Sequence, residues 1–397
     1  MIPAIRKAYN ANFSDARYQE LVNKIEQKYG HRPPFNIAET PIFIPKDLKE
    51  KLFEACEEIT DIIIRPEFLQ QSQTALLAGQ VVPNETPHTV FLQMDFGICR
   101  NEKGEYTPQL IEIQGFPSLY FYQYELAKGY RDYFDIPKGF NHLFNGITEE
   151  GYLEKLRNII IGDANPENVI LLEVEPFKQA TQIDFIIAKE ILGIEVLCVT
   201  DLKVENRKVY YEKDGRRIRV QRIFNRVIFD ELIKRDDLNR EFYFIEDNEV
   251  EWIGHPNWFF RISKHTLPFL RKSQYVPNSY FLNNLEVLPD DLENFVLKPL
   301  YSFAGSGVII NLNKYDLERI KDPENYILQR KVHYEPVIET LDVNAKCEVR
   351  MLMLWEPGRD RPEIVNNLVR LSKGEMVGVR YNKGKTWVGG SIGFFET

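Results

Sequence analysis

Apolar residues repeat at helical spacing early in the chain and then change to the alternation that is typical of strands. From Pro45 to about Gly79 they recur every three or four positions, which predicts a helical segment. Its apolar face consists of Leu48, Leu52, Cys56, Ile59 and Ile63. Two strand-like runs follow, Val90–Ile98 and Leu110–Gln114, and the polar turn Arg100–Pro108 separates them. The pattern predicts a helical region followed by a β-hairpin.

In the middle of the chain the hydrophobic pattern alternates between strands and a helix. Val169–Val174 is apolar except for Glu173, and it is typical of a buried strand. Gln179–Leu192 has helical spacing and is followed by Gly193, and Ile194–Val199 is apolar except for Glu195. A strand, a helix and a strand within some 30 residues predict a βαβ unit, which implies a parallel sheet. A short hairpin is predicted next.

That hairpin pairs Lys208–Tyr211 with Arg217–Arg222 and turns at Asp214-Gly215. Further along, strands are predicted on both sides of a glycine turn, and a helix and three more strands come after them. In order, these elements are Phe295–Pro299, Val308–Asn311, the helix Lys314–Ile320, Tyr326–Gln329, Val349–Trp355 and Val365–Leu371. We therefore predict an α/β (α+β) protein in three regions, residues 1–165, 166–260 and 261–397.

Composition narrows the class of protein. Hydrophobic residues make up 44% and charged residues 27% of the 397 positions, which is typical of a folded globular chain. The net charge of −9 argues against a broad nucleic-acid-binding face. The four cysteines are isolated, no secretory signal opens the chain, and no apolar stretch approaches membrane-spanning length. These features predict a cytoplasmic protein without nucleic-acid or membrane partners, and they leave the oligomeric state open.

The segment from Lys298 to Gly307 is the first candidate for chemistry. A strand ends in Lys298, and a loop with Gly305, Ser306 and Gly307 leads into the next strand. The glycines let the backbone approach a ligand and direct N–H groups at it, and the lysine adds a positive charge. Taken alone, the glycines are more typical of a plain hairpin with a surface lysine. With the lysine, they suit the phosphates of ATP.

Together with Tyr326–Val332 downstream, this segment resembles the ATP-grasp superfamily. In that superfamily a lysine and a glycine loop cover the phosphates, and a strand ending in glutamine and an apolar residue lines the adenine. The resemblance implies that Lys298 contacts phosphate and that Gln329 and Val332 line the base pocket. The fold it implies is an ATP-grasp lobe preceded by a Rossmann-like domain, which the βαβ unit at 166–260 would supply.

A second stretch, His255-Pro-Asn-Trp258 followed by Ser263-Lys264 and Leu267-Pro268, narrows the resemblance. It is similar to the circularly permuted, glutathionylspermidine-synthetase-like ATP-grasp proteins. In these proteins a lysine at this position precedes the second nucleotide lysine. The resemblance implies that Lys264 and Lys298 grip ATP from two sides.

The permuted family places its metal carboxylates early in the chain. Here Gln93-Met-Asp95 lies on one strand of the predicted hairpin and Glu112-Ile-Gln114 on the other, and alternation places Glu112 and Gln114 on one face. By resemblance, Asp95, Glu112 and Gln114 hold Mg²⁺. The family has arginine and asparagine where this chain has Gln93 and Gln114, and these two differences support a nucleotide-binding module without ligase turnover. A polar hairpin face in water is the alternative to a metal site.

Three arginines complete the prediction. By resemblance Arg350 and Arg370, on two predicted strands, face an acyl phosphate or the γ-phosphate. Arg226, with Arg222 as the alternative, reaches a bound carboxylate or phosphate. A surface strand arginine is the alternative for each of them. The implied activity is an ATP-dependent ligase that joins a small-molecule or peptide carboxylate to an amine (or thiol) through an acyl phosphate. A Mg–ATP-binding module with little or no turnover, and a phosphotransferase, are the other hypotheses.

Overall fold

The computed structural model of the protein describes residues 1–302 and 305–397, without the side chains of Val379 and Arg380. Its α-helices are α1 (Pro3–Asn12), α2 (Asp15–Tyr29), α3 (Lys46–Ile63), α4 (Pro66–Gln71), α5 (Tyr120–Tyr133), α6 (Glu149–Ile160), α7 (Gln182–Leu192), α8 (Phe229–Ile233), α9 (Pro256–Arg261) and α10 (Lys314–Glu318). None of these helices is both long and apolar enough to cross a membrane.

The strands are distributed over several sheets. They are β1 (Ile42–Ile44), β2 (Phe91–Arg100), β3 (Tyr106–Gln114), β4 (Phe140–Asn141), β5 (Val169–Glu173), β6 (Glu195–Cys198), β7 (Lys203–Glu205), β8 (Lys208–Lys213), β9 (Arg216–Val220), β10 (Arg222–Asn225), β11 (Glu251–Ile253), β12 (Ser279–Phe281), β13 (Phe295–Pro299), β14 (Tyr326–Arg330), β15 (Lys346–Leu354), β16 (Glu363–Ser372), β17 (Gly389–Ser391) and β18 (Gly393–Glu396).

The predicted first hairpin, β2 and β3, is confirmed, and it forms part of a five-stranded antiparallel sheet in the order β17-β16-β15-β2-β3. Strands from both ends of the chain thus form one sheet. One face of β2, which includes Leu92, Met94 and Phe96, packs in a core that also contains the apolar face of α3. Because side chains alternate across a strand, the other face of β2 presents Gln93 and Asp95.

The predicted helix from Pro45 to about Gly79 is too long. Its five predicted face residues are buried as expected, but α3 ends at Ile63. Pro66 then begins the short helix α4, because proline has no backbone N–H to continue a preceding helix and suits the first turn of a new one.

The predicted βαβ unit is confirmed. Strands β5 and β6 pair in parallel across α7, within a four-stranded parallel sheet in the order β11-β10-β5-β6. The predicted turn at Asp214-Gly215 is also confirmed, with both residues at positive φ. The second hairpin strand was predicted to run through Arg222, and that is wrong. The strand breaks after Val220, and Arg222 begins β10 of the parallel sheet.

A three-stranded antiparallel sheet, β12-β14-β13, has a small apolar core of its own that includes Leu297 and Leu328. It confirms the predicted strands Phe295–Pro299 and Tyr326–Gln329. The predicted strand Val308–Asn311 is reduced to a single bridge between Leu297 and Ile309. Gly305 and Gly307 lie at φ +74° and +71°, and this left-handed backbone turns the chain away from the ladder. The division of the chain into three regions stays a prediction.

Candidate functional site

Asp95 lies at the centre of a buried charged group on the polar face of the five-stranded sheet. Strand pairing places it directly opposite Arg350 on one side and Glu112 on the other. Nε and Nη2 of Arg350 donate to Oδ1 and Oδ2 of Asp95 at 2.5 and 2.6 Å, and Nη2 of Arg370 donates to Oδ2 at 2.8 Å. The Asp95 side chain is 1% exposed, so these bonds take the place of its water.

Glu348, which is opposite Arg370 in the strand register, closes the same group. It forms an ion pair with Arg370 and accepts a hydrogen bond of 2.9 Å from the Tyr334 hydroxyl. Burial would raise the pKa of Asp95, but the two arginines hold that pKa below its usual range. Burial raises the pKa of Glu348, and the charge of Asp95 adds to the effect.

Gln93 completes the binding of Arg350. Its Oε1 accepts from Nη1 of Arg350 at 2.9 Å, and its Nε2 donates to the carbonyl oxygen of Ser118 at 3.3 Å. The glutamine is fully buried. We call Gln93, Asp95, Glu348, Arg350 and Arg370 the arginine cluster. Arg350 is 8% and Arg370 37% exposed, so Arg370 presents more of its side chain to solvent.

Glu112 and Gln114 lie on the same side of β3, and their surroundings differ from those of Asp95. Both side chains are partly exposed, and neither forms a hydrogen bond with any other residue that the structure describes. They border a cavity of about 40 Å³ together with Asp230, Lys264 and Ser302. We call this cavity the lysine pocket.

A bulge in β3 connects this pocket to the three-stranded sheet. The register shifts between the pairs Asp95–Glu112 and Phe96–Leu110, so Ile111 has no partner on β2. The carbonyl oxygen of Ile111 instead accepts a 2.9 Å hydrogen bond from Nζ of Lys298 at the end of β13. Lys298 is thereby fixed beside Glu112.

The two predicted phosphate lysines lie close enough to influence each other. Burial, with Lys264 adding, lowers the pKa of Lys298 to about 8, and the charge of Glu112 opposes this effect. Lys264 begins a 3₁₀ turn, Lys264–Phe269, and its Nζ donates to Ser302 at 2.5 Å to the carbonyl oxygen and 3.2 Å to Oγ. Both cations are therefore held in place by neutral oxygens, an arrangement that keeps their charge available for an anion.

The glycine loop lies beyond β13. Two residues of the predicted phosphate segment, Phe303 and Ala304, lie outside the described residues. A Cβ atom added to Gly307 would come within 2.8 Å of the Pro299 ring, so glycine is needed there for packing as well as for its backbone conformation. Ser306 is exposed.

The predicted base-pocket residues are Gln329 on β14 and Val332 just after it. Gln329 is only 2% exposed, and its Nε2 has no hydrogen-bond partner among the described residues. Val332 packs over Gly97 of β2, where an added Cβ would lie 3.1 Å from its Cγ1. Gln329 thus lies in the three-stranded sheet, and Val332 contacts the five-stranded sheet.

Arg226 is not brought together with the other predicted residues. Its Nη1 donates to Asp184 at 2.6 Å, and both side chains are nearly inaccessible, at 3% and 1% exposure. Asp184 in turn accepts from the backbone N–H groups of Phe121 and Tyr122 at the start of α5. This contact joins α5 and α7 to β10, which is a structural arrangement. The alternative of an exposed strand arginine is wrong for Arg226, which is buried, and its contact with a bound carboxylate or phosphate stays a prediction.

The residues of the site fit Mg²⁺ in part. The side-chain oxygens of Glu112 and Gln114 lie on one face and have no hydrogen-bond partner among the described residues, whereas both oxygens of Asp95 are bonded to arginine. Among the described residues, no group of three His, Cys, Asp or Glu side chains is placed to hold a metal ion. A metal ion here would need further oxygen ligands, which the phosphates of ATP can supply.

Sequence reasoning missed Asp230, Tyr334, Glu348 and the role of Ser302. Glu348 carried a usable signal, because it lies two residues before Arg350 and so shares its strand face. Asp230 carried none, since a single acidic residue after a strand is common.

No protein-family model and no curated protein matches the sequence. Among solved structures, the chain is similar to a glutathione synthetase-like effector from Globodera pallida in its apo form, with a TM-score of 0.58 and 11% sequence identity. The match covers 96% of each chain, so the likeness extends over the whole α/β arrangement. At this identity it is a likeness of fold. It loosely fits the ATP-grasp resemblance of the sequence.

Proposed function

We propose that the chain binds Mg–ATP where the three-stranded sheet meets β3, and uses it to ligate a carboxylate to an amine or thiol. The observation that carries the proposal is the convergence of Lys264 and Lys298 on Glu112. Two cations from separate segments, one of them held at a lowered pKa of about 8 by burial, stand beside a carboxylate with no hydrogen-bond partner among the described residues. Perturbed charged groups around a cavity are typical of a binding site.

The proposed reaction has two steps. An oxygen of the substrate carboxylate attacks the γ-phosphorus of ATP, the bond to the β,γ-bridging oxygen breaks, and an acyl phosphate and ADP form. The amine nitrogen then attacks the acyl carbon, inorganic phosphate leaves, and the nitrogen loses a proton. Lys264 and Lys298 stabilise the charge on the transferring phosphoryl group. Arg370, the more exposed arginine of its cluster, is the better placed of the two to reach the acyl phosphate.

Glu112 and Gln114 would hold the magnesium ion, which neutralises phosphate charge when it is bound. Asp95 is the third residue of the predicted set. In its present bonds it orients Arg350 and Arg370, and metal binding by Asp95 would require those bonds to rearrange.

This state of Asp95 favours a second candidate, a Mg–ATP-binding module with little or no ligase turnover. A buried carboxylate shared by two arginines is already neutralised, and separating it from them is costly. In that reading the lysines and the glycine loop still bind ATP, but the set of magnesium ligands is incomplete.

The test is a turnover assay with the full chain, Mg²⁺ and ATP, over a panel of carboxylates and amines, with phosphate release and product mass as readouts. A ligase yields ADP, phosphate and an amide adduct. A phosphorylated product identifies a phosphotransferase. Tight Mg–ATP binding without turnover on any pair favours the module, and absence of nucleotide binding refutes the proposal.

A further inference from the structure

A larger cavity lies where α1 ends and α2 begins, outside the site described above. Its volume is about 290 Å³, close to the lower end of the range of about 300–1,000 Å³ that is typical of small-molecule sites. It is bordered by α1, the first turn of α2 and the segment that follows α5, and it shares no residue with the lysine pocket. We call it the corner cavity. Residues that border it include Ala4, Ala8, Tyr9, Arg17, Phe134 and Asp135.

The inner wall of the corner cavity is apolar. Tyr9 and Phe134 are 6% and 7% exposed, and their ring centroids lie 5.3 Å apart with a tilt of 34°. The Tyr9 hydroxyl donates to the carbonyl oxygen of Glu39 at 2.9 Å, so the polar end of this side chain is already satisfied. Ala4 and Ala8 lie one turn apart on the same face of α1, and their small side chains leave space beside the two rings. The wall therefore offers aromatic surface to an apolar group of a ligand.

Two opposite charges border the same cavity. Arg17 is in the first turn of α2 and Asp135 is two residues beyond the end of α5, and both are exposed. Neither side chain forms a hydrogen bond or an ion pair with another residue that the structure describes. Because they do not pair with each other either, each is available to a group of opposite charge. A guanidinium binds a carboxylate through two parallel N–H bonds, and a carboxylate accepts from an ammonium group.

The apolar wall and the two charges together select one class of small ligand. An apolar carboxylic acid would satisfy Arg17 and leave Asp135 unpaired, and an apolar amine would do the opposite. An α-amino acid carries its carboxylate, its ammonium group and its side chain on one carbon atom, so a single molecule can meet both charges and the wall.

We infer that the corner cavity binds an α-amino acid with an apolar side chain. Its carboxylate pairs with Arg17, its ammonium group pairs with Asp135, and its side chain lies against Tyr9 and Phe134. This binding goes beyond the proposed ligase and does not depend on it, because none of these residues belongs to the lysine pocket or to the arginine cluster.

The test measures the affinity of the full chain for L-phenylalanine by ligand-observed NMR. Two comparison ligands each lack one charge, since phenethylamine has no carboxylate and 3-phenylpropionate has no ammonium group. Arg17→Gln and Asp135→Asn each remove one charge from the protein. Lys7→Gln is the matched control, because Lys7 is an exposed cation of α1 that does not border the cavity.

We expect the wild type and Lys7→Gln to bind L-phenylalanine more tightly than either comparison ligand. Because both charges of the protein are exposed, each ion pair should contribute at most about fivefold in affinity. Arg17→Gln should lose the preference for phenylalanine over phenethylamine, and Asp135→Asn should lose the preference over 3-phenylpropionate. This crossed pattern assigns each charge of the ligand to one residue, and a general loss of stability would not produce it.

A second pair of variants tests the cavity itself. Ala8→Leu places a larger side chain in the cavity and should abolish binding of all three ligands. Ala11→Leu makes the same change at an exposed position of α1 that does not border the cavity, and it should bind as the wild type does. Leucine is a good helix former, so the melting temperature of both variants should stay at the wild-type value. Ala4→Leu provides another filling variant should Ala8→Leu fail to fold.

Absence of L-phenylalanine binding to the wild type overturns the inference, and so does full affinity in Ala8→Leu. A wild type that binds either comparison ligand as tightly as L-phenylalanine overturns it as well, as do unchanged preferences in both Arg17→Gln and Asp135→Asn. Phenylalanine binding by a chain that binds no nucleotide supports the corner cavity while refuting the proposed ligase. ATP-dependent turnover by a chain that binds no phenylalanine does the reverse.

Discussion

Asp95 and Glu112 lie opposite each other on neighbouring strands, yet their carboxylates are in contrasting states. Asp95 is buried and bonded on both oxygens to Arg350 and Arg370. Glu112 is partly exposed and has no hydrogen-bond partner among the described residues. The two carboxylates lie on the same face of the sheet. That of Asp95 is part of a buried ion-pair network, and that of Glu112 is available to bind a ligand.

The difference lies in the neighbouring strands. β2 is central and has β15 beside it, so arginines of the sheet reach Asp95. β3 is an edge strand whose bulge at Ile111 meets Lys298. Paired groups in the interior hold the sheet together, and unpaired groups at its edge mark where a ligand would bring the missing partners.

The largest expected effect is on stability, and it comes from breaking the ion pairs of Asp95. Asp95→Asn leaves Arg350 and Arg370 without their shared anion, and removing one partner of a buried ion pair costs about 3–5 kcal/mol. The free energy of unfolding, measured by urea denaturation, should fall by that amount. The control is Asp61→Asn, which removes an exposed pair with Arg361 and should cost at most about 1 kcal/mol. Equal costs for the two variants would show that the arginine cluster does not stabilise the fold.

The second effect is on ATP affinity, and it concerns Lys298 beside Glu112. If Lys298 contacts phosphate as proposed, Lys298→Ala removes a charge-assisted contact, and ATP binding measured by calorimetric titration should weaken by about 1.5–3 kcal/mol. Lys314→Ala serves as the control, because Lys314 is an exposed residue at the start of α10. Unchanged nucleotide affinity in Lys298→Ala would contradict the assignment of this lysine to phosphate.

Sequence alternation predicted most strands of the site, because their two faces meet different surroundings. Beyond the two hairpins between neighbouring strands, it did not predict which strands pair. Asp95 and Arg350 are 255 positions apart, and periodicity fixes the face of a residue without naming its neighbour. The strand at Val308–Asn311 failed for a local reason, since two glycines at positive φ precede it.

Local spacing predicted two positions that the structure has, namely Lys298 at the end of a strand and Glu112 with Gln114 on one face of β3, and the roles of these residues stay predictions. The state of each charge was not predictable. The sequence pattern around an arginine at the end of a strand does not show whether the side chain is exposed or, like that of Arg226, buried against Asp184. Asp230 is informative only because its oxygens have no hydrogen-bond partner among the described residues, which is a property of three-dimensional packing.

A third, smaller effect is expected from pH. Because burial lowers the pKa of Lys298 to about 8, the free protein loses this positive charge as pH rises through that value. ATP affinity should then fall by up to tenfold per pH unit above about 8, since nucleotide binding must restore the proton. Lys298→Arg stays protonated and should show a flatter profile, and comparing the two proteins cancels the titration of the ligand. Parallel profiles would show that Lys298 does not carry the charge that binds phosphate.

The smallest expected effect completes the comparison with Asp95. Glu112→Gln changes a partly exposed carboxylate that has no hydrogen-bond partner among the described residues, so the free energy of unfolding should stay within about 0.5 kcal/mol of the wild type. The nearby charge of Glu112 also raises the pKa of Lys298, so its removal should shift that pKa downward. Urea denaturation checks the first expectation, and the pH profile of ATP binding checks the second. A loss of stability comparable to that of Asp95→Asn would show that Glu112 holds the sheet together. The charged groups at the edge of the sheet would then stabilise the fold as much as those at its centre.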